Sequence, residues 1–290
     1  MNISKLPCDT VYLVDLHGFL HRYFAVRPDV AAENCARKCY QLFHNGSPYV
    51  VFASDPTERG TSFRHTLAPE SSDHPYKGNR SRDEAKDAAF AKQLRIFEEL
   101  MEDTLGLPVL QVPGFEGDDI IASLEARVVP PRYTLILGFD KDLYQLIGSF
   151  TKMWDGGFKD VVTDREEVYA KLGVYPHQMV DYQTLVGDSG DNLPGVRNIG
   201  PEGAKAILDV FDNLDTALDS AEMYEGIIRR DDTVVDFIGG GRAYELWEKN
   251  RKLWSALAGA RDRVAEQRQL CKLRTDAPIP QNILDRLELR

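Results

Sequence analysis

Tyr133-Thr-Leu-Ile-Leu-Gly-Phe-Asp140-Lys-Asp142 reads as a short apolar strand that runs into two acids. Three other stretches repeat this arrangement. Val11-Tyr-Leu-Val14 leads to Asp15, Tyr49-Val-Val-Phe52 leads to Asp55, and Val109-Leu-Gln-Val112 leads to Glu116-Gly-Asp118-Asp119. Apolar runs of this length, bounded by turn residues, are strands. Helical spacing at 17–24, 31–44 and 84–104 separates them, which predicts an α/β class with a mainly parallel central sheet. Sites in such sheets lie beyond the carboxyl ends of the strands. Acids at four strand ends therefore converge on one edge. Each pair at 4 Å would repel by about 4 kcal/mol at an effective dielectric of ~20. The cluster makes physical sense when it holds divalent cations, and carboxylate and water ligands favour Mg²⁺ or Mn²⁺.

With 290 residues and 43% hydrophobic content, the chain can bury one or two cores. Its formal net charge of −11 argues, taken alone, against nucleic acid. Cations on the acid cluster weaken that objection. Basic residues are also locally dense, with Arg59, Arg64, Lys77, Arg80, Arg82 and Lys86 in one stretch, and a global charge does not decide a local field. Cys8, Cys35, Cys39 and Cys271 form no Cys-x-x-Cys pair, which speaks against a disulfide framework or a zinc site. No apolar run is long enough for a membrane span, and residues 1–10 lack a signal region. The expectation is a soluble, cytoplasmic protein with no membrane partner.

Residues 56–83 hold Pro, Ser, Gly, His and Arg with few aliphatics, the mark of a long functional or disordered loop. From about 164 onward the pattern is mostly helical. Gly239-Gly-Gly241 marks a break before a helix expected at about 243–257.

The hairpin segment is the most specific local pattern. Leu193-Pro-Gly195-Val196-Arg-Asn-Ile199-Gly200-Pro-Glu-Gly203-Ala-Lys205 reads as a helix–hairpin–helix. Its glycines let backbone approach a phosphate, with Gly200 at a turn open to φ > 0. The second helix offers free N–H groups and its positive dipole end. A plain Gly-rich turn between core helices is the alternative. Asp188 and Asp191 stand just before it, three apart, on one face of a helical turn. In the polar loop, Tyr76-Lys77-Gly-Asn-Arg80 reads as a phosphate clamp, Tyr76 stacking on a base and Lys77 and Arg80 holding the phosphate. A solvated basic loop is the plainer reading. Arg22, on the helix after Asp15, is either a further contact or a surface arginine. An acid-rich helix start explains Glu116-Gly-Asp118-Asp119 or Asp140-Lys-Asp142 singly, but not acids after four strands in turn.

Together these residues resemble the 5′-nuclease family, which includes the 5′-nuclease domain of bacterial DNA polymerase I, phage 5′-exonucleases and flap endonucleases. Gly114-Phe-Glu-Gly-Asp-Asp-Ile is similar to its Gly-Val-Glu-Ala-Asp-Asp signature. Gly138-Phe-Asp-Lys-Asp-Leu-Tyr-Gln-Leu, Val186-Gly-Asp-Ser-Gly-Asp-Asn-Leu-Pro-Gly-Val and Tyr-Lys-Gly-Asn-Arg resemble three further family motifs, and Gln269–Asp276 its closing segment.

The resemblance implies a PIN-like core with a helical arch at roughly 60–100. The implied division is a catalytic domain over 9–170, a helix–hairpin–helix region over 171–276 and a tail over 277–290. It implies that Asp55, Glu116, Asp118, Asp119 and Asp140 surround one metal ion. Asp142, Asp188 and Asp191 help to hold a second, and Asp15 supports the cluster. It implies Mg²⁺ as cofactor, with Mn²⁺ as substitute and K⁺ as a candidate at the hairpin. The implied activity is flap endonuclease and 5′-3′ exonuclease on DNA with 5′ flaps, nicks or ends, by a monomer in a bacterial or phage-infected cell. A nuclease for RNA or RNA–DNA hybrids, and a junction-binding module without catalysis, are the rivals.

Three departures stand out. The first strand continues Asp-Leu-His-Gly rather than Asp-Gly. Ala-Ser separates Phe52 from Asp55. Phe139 replaces a small polar residue before Asp140.

Overall fold

Five strands, β1 (Val11–Asp15), β2 (Val50–Ala53), β3 (Val109–Leu110), β4 (Thr134–Leu137) and β5 (Thr151–Trp154), form one sheet in the order β3-β2-β1-β4-β5. Every neighbouring pair is parallel. This computed structural model describes residues 6–43, 49–56, 60–81, 83–154, 163–228, 242, 246 and 249–289.

The chain divides into two compact units. The first is Met1–Thr66, Ser81–Glu167 and Leu273–Arg290; the second is Leu67–Arg80 and Val168–Lys272.

In the first unit, β2 and β4 are buried at every residue. Helices cover both faces of the sheet, so these strands carry no polar alternation. On one face Val14, Phe52, Leu135 and Leu137 meet Leu20, Cys35, Phe90 and Phe97 from the helices Leu16–Phe24, Ala31–Phe43 and Glu84–Leu105. Leu13, Val51 and Ile136 alternate to the other face, and the helix Gly117–Glu125 packs on β1 and β2. Asp83 caps the long helix by accepting the Lys86 amide at 3.0 Å, and Gly106 ends it at φ 60°. The order places the topological switch between β1 and β4, which is where Asp15 and Asp140 emerge.

In the second unit, Trp254 is fully buried between Phe211 and Tyr224, with both ring centroids at 5.5 Å. Arg268 links Asp181 and Asp215 at 2.9 and 2.8 Å, tying the helices Met179–Val186, Leu214–Ile228 and Arg261–Cys271.

Several expectations need correction. Within the arch expected at 60–100, Phe63–Leu67 and Glu84–Leu105 are helices, and the described residues between them, 68–81 and 83, are not. Pro69 and Pro75 interrupt it, and proline cannot donate within a helix. Leu67–Arg80 belongs to the helical unit rather than to the α/β domain in which it was expected. The expected tail at 277–290 is part of the α/β unit, because Ile283 and Leu287 on the helix Gln281–Leu287 are buried. The strand β5 was not anticipated; Thr-Lys-Met-Trp has too few aliphatics to signal one. Gly239–Gly241 and part of the helix expected at 243–257 lie outside the described residues; Arg251–Ala258 is helical.

Candidate functional site

Asp15 is the last residue of β1 and caps the next helix, its Oδ1 accepting the Gly18 amide at 3.1 Å. A Cβ on Gly18 would stand 2.3 Å from the other Asp15 oxygen, so glycine leaves room for the carboxylate. Burial pushes the Asp15 carboxyl up to about 7; the Gly18 amide opposes the shift, and the charges of Asp55 and Asp140 add to it. Asp15 therefore senses the acids at two other strand ends.

Asp55 lies two residues past β2. Its amide donates to Nδ1 of His17 at 3.2 Å, and its Oδ1 accepts the Gly117 amide at 2.7 Å. The two sequence departures meet here. The Ala-Ser insertion displaces Asp55, and His17 of Asp-Leu-His-Gly holds its backbone.

Glu116, Asp118 and Asp119 open the helix Gly117–Glu125. Glu116 is 6% exposed and accepts Ser62 Oγ at 3.3 Å and Arg64 Nη1 at 3.1 Å. Burial raises the Asp118 carboxyl well above its usual range; Arg64 opposes this, and Asp119, Glu116 and Asp55 reinforce it. Asp118 keeps 27% of its side chain exposed, whereas Asp119 keeps none. Asp119 is instead filled by a two-pronged pair with Arg64 at 2.8 and 2.9 Å.

Asp140 caps the 3₁₀ turn Lys141–Leu146, its Oδ1 accepting the Asp142 amide at 2.9 Å. A Cβ on the preceding Gly138 would meet Leu143 at 2.8 Å and the Asp15 Cβ at 3.3 Å, so β1 and β4 approach closely there. Phe139 stacks on Phe19 at 5.8 Å, and the exposed Arg22 guanidinium lies over the Phe139 ring at 4.6 Å from its centroid.

Among the described residues, no three His, Cys, Asp or Glu side chains are drawn together as a finished metal cage. The donor set nonetheless fits a hard divalent cation. It is all carboxylate oxygen, and burial first, then the charges of neighbouring acids, raise the proton affinity of Asp15 and Asp118.

The helical unit carries the other residues expected at the site. Asp191 accepts the Tyr76 hydroxyl at 3.0 Å and Arg80 Nη2 at 2.7 Å, and its carbonyl accepts the Lys77 amide at 3.0 Å. Asn79 and Arg80 also donate to the carbonyls of Ser189 and Gly190. Tyr76 is 4% exposed among Ala68, Leu193, Leu270 and Cys271, which corrects the expectation that its ring stacks on a base. Lys77 holds φ 55°, and its Nζ lies 4.8 Å from the Tyr76 ring centroid. Asp188 bridges to Leu193 through paired backbone bonds, and its Oδ1 accepts the Gly190 amide at 2.8 Å.

In the hairpin, Gly187 and Gly195 have φ 80° and 65°, and a Cβ on Gly195 would lie 2.5 Å from the Gly187 nitrogen. Gly200 has φ −94° with open space around it, so the turn there does not use φ > 0. Val196 and Ile199 are buried, whereas Gly203 and Lys205 sit on the helix Pro201–Phe211, where Lys205 pairs with Glu202 at 2.9 Å.

Sequence reasoning missed His17, Ser62, Arg64 and Arg274 as parts of the acid cluster's surroundings. Arg64 counted only as one of several loop cations. Nothing in its spacing distinguishes a buried arginine from an exposed one.

The profile described as "5′-3′ exonuclease, N-terminal resolvase-like domain" matches residues 10–173, and that described as "5′-3′ exonuclease, C-terminal SAM fold" matches 174–290. DNA polymerase I of Thermus aquaticus is 30% identical over 233 residues, which is 77% of this chain and 26% of that protein. The chain thus spans about a quarter of the polymerases it matches. A 5′-3′ exonuclease of Mycoplasmopsis pulmonis is 33% identical over 231 residues, 77% of this chain and 73% of that one. The T5 D15 protein co-crystallized with metal ions shares the fold, with a TM-score of 0.68 at 21% identity over 96% of both chains. So does the catalytic core of Rad2 in complex with DNA substrate, with a TM-score of 0.53 at 15% identity over 96% of this chain and 85% of that one.

Proposed function

Because the chain belongs to the 5′-3′ exonuclease family, we propose that it is a structure-specific 5′-nuclease dependent on divalent metal, acting as a monomer on DNA. Its substrates are 5′ flaps, nicks and 5′ ends, cut near the junction of duplex and single strand. The observation that carries this reading is the set of carboxylates at the carboxyl edge of the parallel sheet, with Asp15 pushed up to about 7 beside Asp55 and Asp140.

Asp15, Asp55, Glu116, Asp118, Asp140 and Asp142 are the residues suited to holding Mg²⁺ or Mn²⁺, and Asp188 and Asp191 contribute to a further cation. Bound there, such ions supply Lewis-acid stabilisation of charge developing on the phosphodiester. The remaining work belongs to the chain. Lys77, Arg80 and Arg22 neutralise substrate phosphates, with the guanidinium forks orienting them in two prongs. Gly195, Val196 and Ile199 shape the hairpin, and the helix starting at Pro201 offers its first-turn amides to the duplex backbone. Lys205 and, as a bound ion, K⁺ add positive charge at that point. Backbone contacts of this kind fix register without reading sequence, which suits recognition of a junction.

Purified protein incubated with Mg²⁺ and 5′-labelled flap, nicked, single-stranded and RNA–DNA substrates tests the reading. Cuts should map near the junction of the flap and cease in EDTA. Undiminished cutting in EDTA, or cutting of RNA–DNA hybrids alone, would set this reading aside.

A further inference from the structure

Asp119 accepts four hydrogen bonds. Arg64 Nη1 and Nη2 reach its two oxygens at 2.8 and 2.9 Å, the Glu116 amide donates at 3.2 Å, and the Arg274 amide at 2.9 Å. An ionised carboxylate has about four acceptor positions, so this one is saturated. It is also wholly buried, as is nearly all of Arg64 at 2% exposure. Asp118, next in the chain, keeps 27% of its side chain exposed.

The same arginine reaches past Asp119. Its Nη1 lies 3.1 Å from Glu116 Oε2 and 3.8 Å from Asp118 Oδ1. Its guanidinium carbon lies 4.7 Å from the centroid of the Phe63 ring. Arg274 approaches the same ring at 4.8 Å and that of Phe115 at 4.6 Å. Ser123 continues the tie, donating to the Arg274 carbonyl at 3.3 Å and accepting the Ala277 amide at 3.0 Å. The helix start that bears Glu116 and Asp118 is thus bolted to the chain's closing segment through Asp119.

We propose that Asp119 is not a cation ligand: with Arg64 it forms a buried positioning pair that aims Glu116 and Asp118 and leaves those two carboxylates to the metal. The inference rests on the metal-dependent reading above and narrows it. Arg64 and Asp119 cancel each other's charge, so the pair can be buried without drawing on the cation. A cation on Asp119 would have to displace two charge-assisted bonds from a wholly buried carboxylate. Partners that orient ligands in this way commonly alter metal affinity by about 10–100-fold when changed.

Mn²⁺ alone, without DNA, is the probe. In an anomalous difference map of Mn²⁺-soaked crystals of the full chain, peaks should lie within about 2.5 Å of Glu116 or Asp118 oxygens, and none that close to Asp119. A peak bonded to Asp119 overturns the assignment. No peak at any strand-end carboxylate overturns the metal reading itself, and the assignment with it. In solution, free Mn²⁺ is followed by its paramagnetic resonance signal. Asp118→Asn should weaken Mn²⁺ binding about 10-fold or more without lowering the melting temperature in EDTA. Arg64→Lys keeps the charge but loses the fork; it should lower that melting temperature and also weaken Mn²⁺ binding by the folded protein. Wild-type Mn²⁺ affinity in folded Arg64→Lys overturns the positioning role. If Arg64→Lys does not fold, the wild-type map still decides.

Discussion

Asp55 and Gly117 are joined by a 2.7 Å hydrogen bond from the glycine amide to the carboxylate, so the displaced acid after β2 is locked onto the helix that Glu116 and Asp118 begin. The bond also ties two strand ends to each other. Asp55→Asn keeps an acceptor for that amide and removes the charge; Asp55→Ala removes both. In EDTA, the Asn variant should melt close to wild type, whereas the Ala variant should lose about 0.5–2 kcal/mol, the usual cost of a missing cap. Both should bind Mn²⁺ more weakly. Wild-type Mn²⁺ affinity in Asp55→Asn would reduce Asp55 to a cap.

Glu125 gives a pH dependence separate from the acid cluster. Burial raises its pKa above the ordinary 4.5, and the Thr151 hydroxyl, donating at 2.6 Å, opposes the shift. Below 4.5 both folded and unfolded chains hold the proton, so the protein has its full stability from this group. As pH rises, the unfolded chain releases the proton first, and stability falls until the folded pKa is passed. Glu125→Gln keeps an acceptor for Thr151 and cannot ionise. Its melting temperature should exceed wild type at about pH 8 and approach it at about pH 4. A constant difference across that range would remove Glu125 as the source.

How far the sequence foretold the molecule depends on what each residue's signal is made of. Val11–Val14, Tyr49–Phe52 and Tyr133–Leu137 announced their strands because a sheet covered on both faces needs unbroken apolar runs, and the acids beyond them followed from parallel topology. β5 escaped because Thr151-Lys-Met-Trp154 carries little aliphatic character. Arg64 and Tyr76 were misjudged for one reason. Their burial depends on partners 52 to 115 residues away, Glu116, Asp119 and Asp191, which local composition does not encode. Gly195 and Gly200 look alike in sequence, and only the backbone angles separate them.

That separation is testable. Gly195→Ala places a Cβ at φ 65° and 2.5 Å from the Gly187 nitrogen, so the helical unit should lose about 2–4 kcal/mol from strain and clash. Gly200→Ala meets open space at an ordinary φ and should stay within about 0.5 kcal/mol of wild type. Calorimetry of both variants decides. Duplex affinity lost in Gly200→Ala at unchanged stability would mark the point where a phosphate approaches the backbone.

Lys77 stands on a loop fixed by its own amide bond to the Asp191 carbonyl. Lys77→Ala leaves that backbone bond available and removes the side chain beyond Cβ, the ammonium group and its contact with the Tyr76 ring included. If Lys77 meets the reacting phosphate, single-turnover cleavage should slow by about 10²–10³, as for loss of one preorganised donor, with duplex affinity little changed. A rate within a few-fold of wild type would take Lys77 out of the chemistry.

Asp191 restrains the cation that the proposed function gives to substrate. Arg80 is 57% exposed and pairs with it at 2.7 Å; an exposed pair of this kind is worth about 0–1 kcal/mol. Asp191→Asn should therefore cost little stability, since an amide oxygen can still accept the Tyr76 hydroxyl. It should free Arg80 for phosphate. In EDTA, where no cation contributes, the variant should bind duplex DNA more tightly than wild type. Its plot of log affinity against log salt should steepen by up to about 0.9, the slope of one further neutralised phosphate. Adding Arg80→Gln should return the slope to the wild-type value or below. If the double variant keeps the steeper slope, Arg80 makes no phosphate contact, and the tighter binding reflects only the loss of a negative charge.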